Sequence, residues 1–292
     1  MRTPIFRIII AACILAVTAR FEASGQAFSS FILSGKAGES AMGNISFNRP
    51  QLLGSKVDAT LSYGKWMPSQ LDYSPLHAGV FLALGDNFGI RAGYRSNLYS
   101  PIASIDVNGN EKGSFKPQEQ QISAGISLRI GEGMVLDATG KYLSAEMAGN
   151  KGAAFAGDIA LSYVSDGLTL GVKGADIGSS YSFGHEAHSL PMRIMAGGSY
   201  LLAPAGKHSL TLGGDLGYVL PQIYKSFIAA AGLEYSFDSM VFARAGYHFS
   251  SGAAPRYAAF GLGVAFSGIG LDAAYTISQA STGWTLTLRF SR

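Results

Sequence analysis

The sequence predicts an all-β protein: a transmembrane antiparallel β-barrel of about 14 strands with a short plug-like segment at its N-terminus. Three observations lead to this fold. From about residue 57 onward, segments of eight to ten residues alternate apolar with small or polar residues, which is the period of a β-strand. Charged side chains fall on one side of that alternation. Short and long connections follow each other along the chain, as in bacterial outer-membrane barrels.

The composition excludes several other classes of protein. Charged residues make up 14% of the 292 residues and apolar residues 48%, whereas a typical soluble domain is about 25% charged. Past residue 20, no uncharged apolar run reaches the length of about 20 residues that a transmembrane helix needs. A net charge of +3 without a basic stripe argues against a nucleic-acid partner. A Gly-rich soluble β protein and a membrane barrel remain, and the positions of the charges distinguish them.

The alternation is regular enough to assign each strand two faces. In the segment 121–130, Ile122 and Ile126 share one face, whereas Ser123 and Ser127 share the other. The fourteen predicted strands are 57–64, 76–84, 88–96, 121–130, 134–143, 155–164, 168–174, 192–201, 209–218, 227–236, 240–249, 258–266, 269–277 and 283–291.

The apolar face of these segments excludes charge. The charged residues that share the small or polar face are Asp58, Arg91, Arg129, Asp137, Lys141, Asp158, Lys173, Arg193, Asp215, Glu234, Arg244, Asp272 and Arg289. An Arg or Lys that faces lipid at the centre of the bilayer costs about 2–4 kcal/mol. The apolar face is therefore expected to contact outer-membrane lipid. The other face consists mostly of Gly, Ser, Ala and Thr, which fit the crowded interior of a barrel.

The connections and the aromatic residues give the barrel an orientation in the bacterial outer membrane. Short turns such as 85–87, 131–133 and 165–167 alternate with longer connections such as 97–120 and 174–191, and barrels place the short turns in the periplasm. An even number of strands then leaves both termini in the periplasm. Aromatic residues near strand ends are typical of the membrane interface; they are Tyr63, Tyr94, Tyr142, Tyr163, Tyr200, Tyr218, Tyr235, Tyr275 and Trp284.

The first 56 residues divide into two parts. Residues 1–27 have the basic start and short apolar run of a signal peptide, with cleavage near residue 19 or residue 27. The only cysteine, Cys13, lies inside that run, so no disulfide is expected in the exported chain. Residues 28–56 do not alternate and are interpreted as a periplasmic or plug segment that enters the barrel, which itself comprises residues 57–292.

No arrangement of residues indicates an enzyme, a metal site or a cofactor. His185 and His188 are the only histidines close in sequence, and no Cys or acidic spacing completes the three or four ligands that zinc needs. Gly261 and Gly263 lie within a predicted strand without a following helix, so they do not form a dinucleotide motif. The chain is therefore predicted to be non-enzymatic.

A charge network inside the lumen is the first candidate site. Its predicted members are Arg91, Arg129, Asp137, Lys141, Asp158, Arg193, Asp215, Glu234 and Arg244. Two interpretations remain open. The network either lines a path for polar solutes or pairs interior charges because buried charges need partners.

Three stretches of the sequence resemble the PorV/PorQ family, which is akin to fatty-acid-transporter barrels of the FadL type. They are the loop Ile105–Pro117, the Ala/Gly-rich strand Gly152–Ala160, and the C-terminal pattern from Phe266 to Ser291; Ala41-Met42-Gly43 also looks like the family's N-terminal Gly-Met-Gly region. The chain departs from the family pattern where Asn48-Arg49-Pro50 stands in place of Asn-Pro-Ala.

This resemblance implies a 14-stranded barrel associated with the type IX secretion system, which binds the C-terminal signal domains of cargo and passes them to the attachment machinery. Loops 97–120 and 174–191 would then contact these proteins. The partner-contact residues expected there are Asp106, Asn108, Phe115, Tyr181, Phe183 and His185. The alternative, suggested by the wider relatives, is a FadL-like outer-membrane channel for hydrophobic or small solutes.

Overall fold

The computed structural model describes residues 29–68, 72–106, 109–183, 186–203, 206–220, 225–252, 255–278 and 281–292. The predicted signal peptide lies outside these residues. Within them, helical structure is limited to the five-residue helix α1 (Ala37–Ala41) and two 3-10 turns, Ser29–Ile32 and Gln51–Leu53. No helix in this part of the chain is long and apolar enough to cross a membrane.

Fourteen antiparallel strands close into a barrel, which confirms the predicted fold class and strand number. Closure occurs where β1 (Val57–Pro68), which pairs with the next strand on one side, pairs with β18 (Ser281–Ser291) on the other, with Leu61 opposite Leu288. The other barrel strands are β2 (Tyr73–Ala83), β3 (Phe88–Tyr99), β6 (Gln118–Gly131), β7 (Met134–Met147), β8 (Asn150–Ser165), β9 (Leu168–Gly178), β12 (Arg193–Leu202), β13 (His208–Val219), β14 (Ser226–Phe237), β15 (Val241–Ser250), β16 (Tyr257–Phe266) and β17 (Ile269–Ile277).

The outer surface of the barrel is apolar. Leu216, Leu262 and Phe266 expose 59%, 68% and 74% of their surface, whereas a soluble monomer rarely exposes large contiguous apolar patches. Seven of the tyrosines near strand ends are also exposed; they are Tyr63, Tyr142, Tyr163, Tyr200, Tyr218, Tyr235 and Tyr275. The two-residue period of a strand places these side chains on the lipid side, so every barrel strand separates an apolar exterior from a polar interior.

Tight turns join the strands at one end of the barrel, here called the short-turn end. Asp166 and Gly167 adopt positive φ angles of 47° and 84°, and Ser267 and Gly268 adopt 50° and 83°. Two consecutive residues with positive φ make the two-residue turns that match the twist of antiparallel strands. The chain termini of the barrel, Val57 and Ser291, lie at the same end.

The opposite end, here called the long-loop end, has more regular structure than the sequence predicts. The predicted connection 144–154 is a two-residue turn at Ala148 and Gly149, because β7 and β8 extend to 14 and 16 residues. A strand needs only about 9–11 residues to cross a bilayer, so this hairpin projects beyond the membrane. Two small hairpins also occupy the predicted loops. They are β4 (Ile102–Ile105) with β5 (Glu111–Phe115), and β10 (Tyr181–Phe183) with β11 (Glu186–His188).

Candidate functional site

Residues 29–56, here called the N-terminal segment, run through the lumen from one end of the barrel to the other. Phe31 packs in a buried cluster with Leu143 and Tyr181, which lie near the long-loop end. Leu52 packs with Phe81 and Val135, which lie next to short turns. The hydrophobic core of the protein is therefore formed between this segment and the inner wall rather than between two sheets.

Glycines on the inner wall let the N-terminal segment lie directly on the strands. A Cβ atom added to Gly232 or Gly246 would overlap the backbone of Met42 and Gly43 where α1 ends. A Cβ atom on Gly213 would stand 2.9 Å from Cδ1 of Ile45. The small residues of the polar strand face thus have a physical role, because a side chain at these positions would push the segment off the wall.

Hydrogen bonds hold the N-terminal segment to strands on several sides of the lumen. The backbone N–H of Ala37 donates to Oγ1 of Thr287 at 2.8 Å, and the backbone N–H of Ser46 donates to the carboxylate of Asp215. Arg95 donates to the carbonyl of Phe31 at 3.0 Å and to that of Leu33. These bonds satisfy backbone groups that would otherwise be buried without partners.

The N-terminal segment also carries its own ion pair into the lumen. Nζ of Lys36 lies 3.1 Å from Oε1 of Glu39, and Oγ of Ser34 donates to the other carboxylate oxygen at 2.6 Å. Burial opposes the ionisation of Glu39, but Lys36 and the hydrogen bond from Ser34 outweigh it and lower the pKa of Glu39 to about 2. Glu39 therefore remains charged and neutralises Lys36 rather than a group on the wall.

A cavity of about 390 Å³ separates the N-terminal segment from strands β2, β3, β6, β7, β8, β9 and β12. Its lining is mostly polar and includes Ser46, Gln121, Ser123, Thr139 and Ser162. Ser46, Asn48 and Arg49 of the segment are exposed. Charged side chains of the barrel wall face this cavity alongside these polar groups.

Three basic and two acidic side chains form a charge network next to that cavity, and all of them except Asp176 line it. Lys141 binds Asp158 at 2.7 Å and Asp176 at 2.8 Å. Lys173 lies 3.4 Å from Asp158, and Arg193 lies 2.5 Å from Asp176. The side chains of Lys141, Arg193 and Asp176 are each less than a tenth exposed, so these charges depend on one another for stabilisation.

A β-bulge in β9 orients the side chain of Asp176 towards this charge network. The pairing of β8 with β9 shifts between Gly157 and Ile159, and Asp176 has a φ of 55°. Its backbone N–H donates to Oδ1 of Asp158 at 2.9 Å. A non-glycine residue at positive φ is uncommon, although Asp is among the residues that tolerate it. The surrounding pairs stabilise this conformation.

Two further ion clusters lie on the inner wall. Arg91 binds Asp137, and Oγ of Ser127 donates to the same carboxylate at 2.5 Å. On the other side of the barrel, Arg244 binds Glu234 at 2.5 Å and Asp272 at 2.6 Å. Arg289 binds Asp272 at 2.8 Å. Both Arg244 and Arg289 also lie over the ring of Phe242, at 4.9 Å and 5.2 Å from its centroid, which adds a favourable cation–π contact to each.

Eight of the nine predicted lumen residues lie on the inner wall of the barrel. They form separate clusters rather than one network. Lys141, Asp158 and Arg193 form one cluster, and Arg91 with Asp137 a second. Glu234 and Arg244 belong to a third, and Asp215 binds the N-terminal segment. Arg129 differs, because it is exposed at the short-turn end, where a register shift follows it. It makes no ion pair within the described part of the chain.

The expected partner-contact residues have different environments. Asp106 lies 3.5 Å from Lys112 in the β4–β5 hairpin, where Phe115 pairs with Ile102. The expectation for Tyr181 is wrong, because its side chain is only 3% exposed and packs against Phe31. It therefore does not present a surface to a partner. Phe183 pairs in β10, and Asn108 and His185 lie outside the described residues.

Two lumen residues, Arg95 and Asp176, are not among those predicted from the sequence. Arg95 lies four residues after Arg91 on the predicted strand 88–96, so the two-residue period of a strand predicts that it also points into the lumen. Asp176 fell in the predicted connection 174–191, and no sequence pattern revealed that a bulge carries β9 past it. Within the described ranges, no group of three or more His, Cys, Asp or Glu side chains converges as metal ligands.

The architecture defines the class of protein: a transmembrane β-barrel of 14 strands whose lumen contains its own N-terminal segment. No protein-family model matches the chain, and no curated protein matches it in sequence.

Solved structures of similar fold include the toluene transporter TbuX of Ralstonia pickettii. Its TM-score is 0.61 at 11% identity, covering 89% of this chain and 99% of that one. The toluene transporter TodX of Pseudomonas putida has a TM-score of 0.62 at 12% identity, covering 88% and 96%. The CymD monoaromatic hydrocarbon channel has a TM-score of 0.60 at 12% identity, covering 89% and 97%. At these identities the likeness is one of fold, and none of the three names refers to protein secretion.

Proposed function

We propose that this protein is an outer-membrane channel for hydrophobic or small solutes. The observation that carries the proposal is the cavity of about 390 Å³ between the N-terminal segment and the inner wall. The fold supports it as well, because a toluene transporter and a hydrocarbon channel match nearly 90% of the chain. A location in the outer membrane follows from the same similarity and from the apolar outer face.

The N-terminal segment must move for a solute to pass through the lumen. It occupies the lumen from Phe31 to Leu52, and its buried clusters with the wall are small and separate. Passage therefore requires either a local shift of the segment next to the cavity or its partial withdrawal. In this proposal the ion clusters shape the path and perform no chemistry, so the protein acts without an enzymatic step.

Uptake by proteoliposomes tests the channel. Purified full-length protein is inserted into vesicles, and the entry of toluene and of a small neutral sugar is followed against protein-free vesicles. Faster entry of either solute supports the proposal. Folding and insertion are verified by the difference in electrophoretic migration between heated and unheated protein. If correctly inserted protein gives entry rates equal to those of protein-free vesicles, the proposal is overturned.

A role in type IX secretion is the second candidate, and the β4–β5 hairpin is the feature that favours it. This hairpin lies at the long-loop end, carries the exposed Ile105, and is separate from the barrel sheet. An exposed two-stranded hairpin offers free edges to which another β-structure can bind. Its partners would be secretion-system proteins and the C-terminal signal domains of cargo.

Replacing residues 101–116 by a short Gly-Ser turn tests this second candidate, because the hairpin forms no part of the closed sheet. If the role holds, the variant loses co-purification with cargo signal domains while its barrel still migrates as a folded species. Unchanged co-purification would count against it. Deleting 174–191 is less informative, since Asp176 and Tyr181 of that stretch are buried.

A further inference from the structure

The cavity next to the N-terminal segment has a marked excess of positive charge. Among its lining residues, three are acidic: Glu39, Asp137 and Asp158. The lining has seven basic residues, which are Lys36, Arg49, Arg91, Arg95, Lys141, Lys173 and Arg193. Lumen charges in a folded barrel are expected to be paired, so this imbalance needs an explanation.

Known ion pairs do not remove the imbalance. Lys36 is neutralised by Glu39, and Arg91 by Asp137. The carboxylates of Asp158 and Asp176 are shared by Lys141, Lys173 and Arg193, which leaves one positive charge in that cluster.

Arg95 supplies the second positive charge in excess. Its guanidinium donates to two backbone carbonyls, those of Phe31 and Leu33, and stacks on the ring of Phe31. Carbonyl groups satisfy hydrogen bonds but do not neutralise a charge. Arg95 and the Lys141 cluster therefore present two uncompensated positive charges from the barrel wall, and Arg49 of the N-terminal segment adds a third that is exposed to water.

Donor capacity also remains unused on this wall. Nε of Arg91 and Nε of Arg193 are buried, and neither has an acceptor among the described residues. Arg49 lies on the opposite side of the cavity, is exposed, and makes no ion pair in the described ranges. Guanidinium groups bind the paired oxygens of carboxylate and phosphate, and they do so most strongly away from bulk water.

The remaining lining is hydrophilic and suits a ligand of the same character. Hydroxyl and amide groups of Ser46, Asn48, Gln121 and Thr139 line the cavity, whereas a hydrocarbon there would leave these groups without hydrogen bonds. A volume of about 390 Å³ lies in the range of small-molecule sites. The site therefore fits a compact polar molecule with a charge of about minus two.

We infer that this cavity binds a small hydrophilic dianion whose oxyanion groups are those of a phosphate or a dicarboxylate. That this dianion is also a transported solute rests on the channel function proposed above. Binding itself requires only the folded barrel with the N-terminal segment in place. The dianion would neutralise the two charges in excess and accept hydrogen bonds from the free donors on both sides of the cavity.

Calorimetric titration of the full-length protein in detergent tests this inference, with inorganic phosphate as the probe at pH 8 and chloride added to constant ionic strength. The first variant is Lys173→Gln, which removes one lumen charge that has no bond to the N-terminal segment. Phosphate affinity is expected to fall about tenfold, since charge-assisted hydrogen bonds contribute at least that factor. The matched control is Lys207→Gln, which removes an exposed lysine of a short turn and should leave affinity unchanged.

Arg49→Gln gives a second test that does not depend on the wall, because Arg49 is exposed on the N-terminal segment and contributes no ion pair to folding in the described ranges. It should also weaken phosphate binding. Succinate in place of phosphate separates the two chemistries, and binding of either one supports the inference. No binding of phosphate or succinate, or equal affinity in wild type and all three variants, would overturn it. Uptake of neutral sugar in proteoliposomes addresses only the channel function, so the two failures are distinguishable.

Discussion

Gly246 of β15 lies directly against Gly43 of the N-terminal segment, so that a Cβ atom on Gly246 would overlap the Gly43 backbone. The first prediction follows from this contact. Gly246→Ala should displace the segment from the wall while the strand pairing of β15 is retained. Trypsin should then cleave after Lys36 several-fold faster than in wild type, as measured by the rate at which the intact N-terminus is lost.

Gly140→Ala is the matched control for that experiment. Gly140 also lies in the middle of a barrel strand, but it is exposed on the outer face, and the nearest atom to an added Cβ is 3.9 Å away. Its cleavage rate should equal that of wild type. Equal rates for Gly246→Ala and Gly140→Ala would contradict the tight seating of the segment.

The second prediction concerns movement of the segment during passage. An added Cβ on Gly35 would lie 2.8 Å from Cβ of His77, whereas disulfides place these atoms about 3.8 Å apart. A shift of about 1 Å therefore lets the double variant Gly35→Cys with His77→Cys form a disulfide that ties the segment to β2. Solute uptake by proteoliposomes should fall under oxidising conditions and return when dithiothreitol is added.

Each single cysteine variant serves as the control, and neither should respond to dithiothreitol. The only natural cysteine, Cys13, lies in the predicted signal peptide. If the oxidised double variant takes up solute as fast as its reduced form, the segment does not need to move near Gly35, and the path must avoid that region.

The barrel could be predicted from the sequence because each strand separates two very different environments. In β6, Ile122 and Ile126 are exposed on the outer face, whereas Ser127 faces the lumen and binds Asp137. The cost of placing a charge in lipid imposes this pattern on every strand. The pattern can therefore be read from a single sequence.

The seating of the N-terminal segment and the bulge at Asp176 could not be predicted in the same way. Residues 29–56 have no repeating environment, since Phe31, Ser46 and Leu52 each meet a different part of the wall. Asp176 depends on a local change of register that no periodicity encodes. The short hairpins β4–β5 and β10–β11 likewise lie outside the membrane, where nothing enforces alternation.

The third prediction tests the lipid-facing side of the wall. Leu212 is in the middle of β13 and is 44% exposed on the outer face. Leu212→Arg should lower the free energy of unfolding by about 2–4 kcal/mol, because the guanidinium enters the centre of the bilayer. Reversible unfolding by guanidinium chloride in lipid vesicles, followed by tryptophan fluorescence, measures the change.

Leu84→Arg is the comparison for this prediction, since Leu84 is similarly exposed but follows β2 at the short-turn end. There the same substitution should cost only about 0–1 kcal/mol, because the side chain reaches the interface. A larger loss for Leu84→Arg than for Leu212→Arg would contradict the assigned position of the membrane.

The last prediction concerns the charge of Asp176, which is compared with the charge of Asp238. Both residues adopt positive φ, 55° and 54°, and both are ion-paired. They differ in burial, because the side chain of Asp176 is 7% exposed and that of Asp238 is 38% exposed. Asn tolerates positive φ as well as Asp does, so a change to Asn removes the charge without changing backbone strain.

In Asp176→Asn, the carboxylate of Asp158 is the one acidic partner left for Lys141, Lys173 and Arg193. The free energy of unfolding should therefore fall by about 3–5 kcal/mol. Asp238→Asn should lower it by less than about 1 kcal/mol, because an exposed pair is well solvated. The same unfolding assay in vesicles, at equal ionic strength, measures both. Equal losses for the two variants would mean that water reaches Asp176 as freely as it reaches Asp238, and the lumen charges would then need no partners for stability.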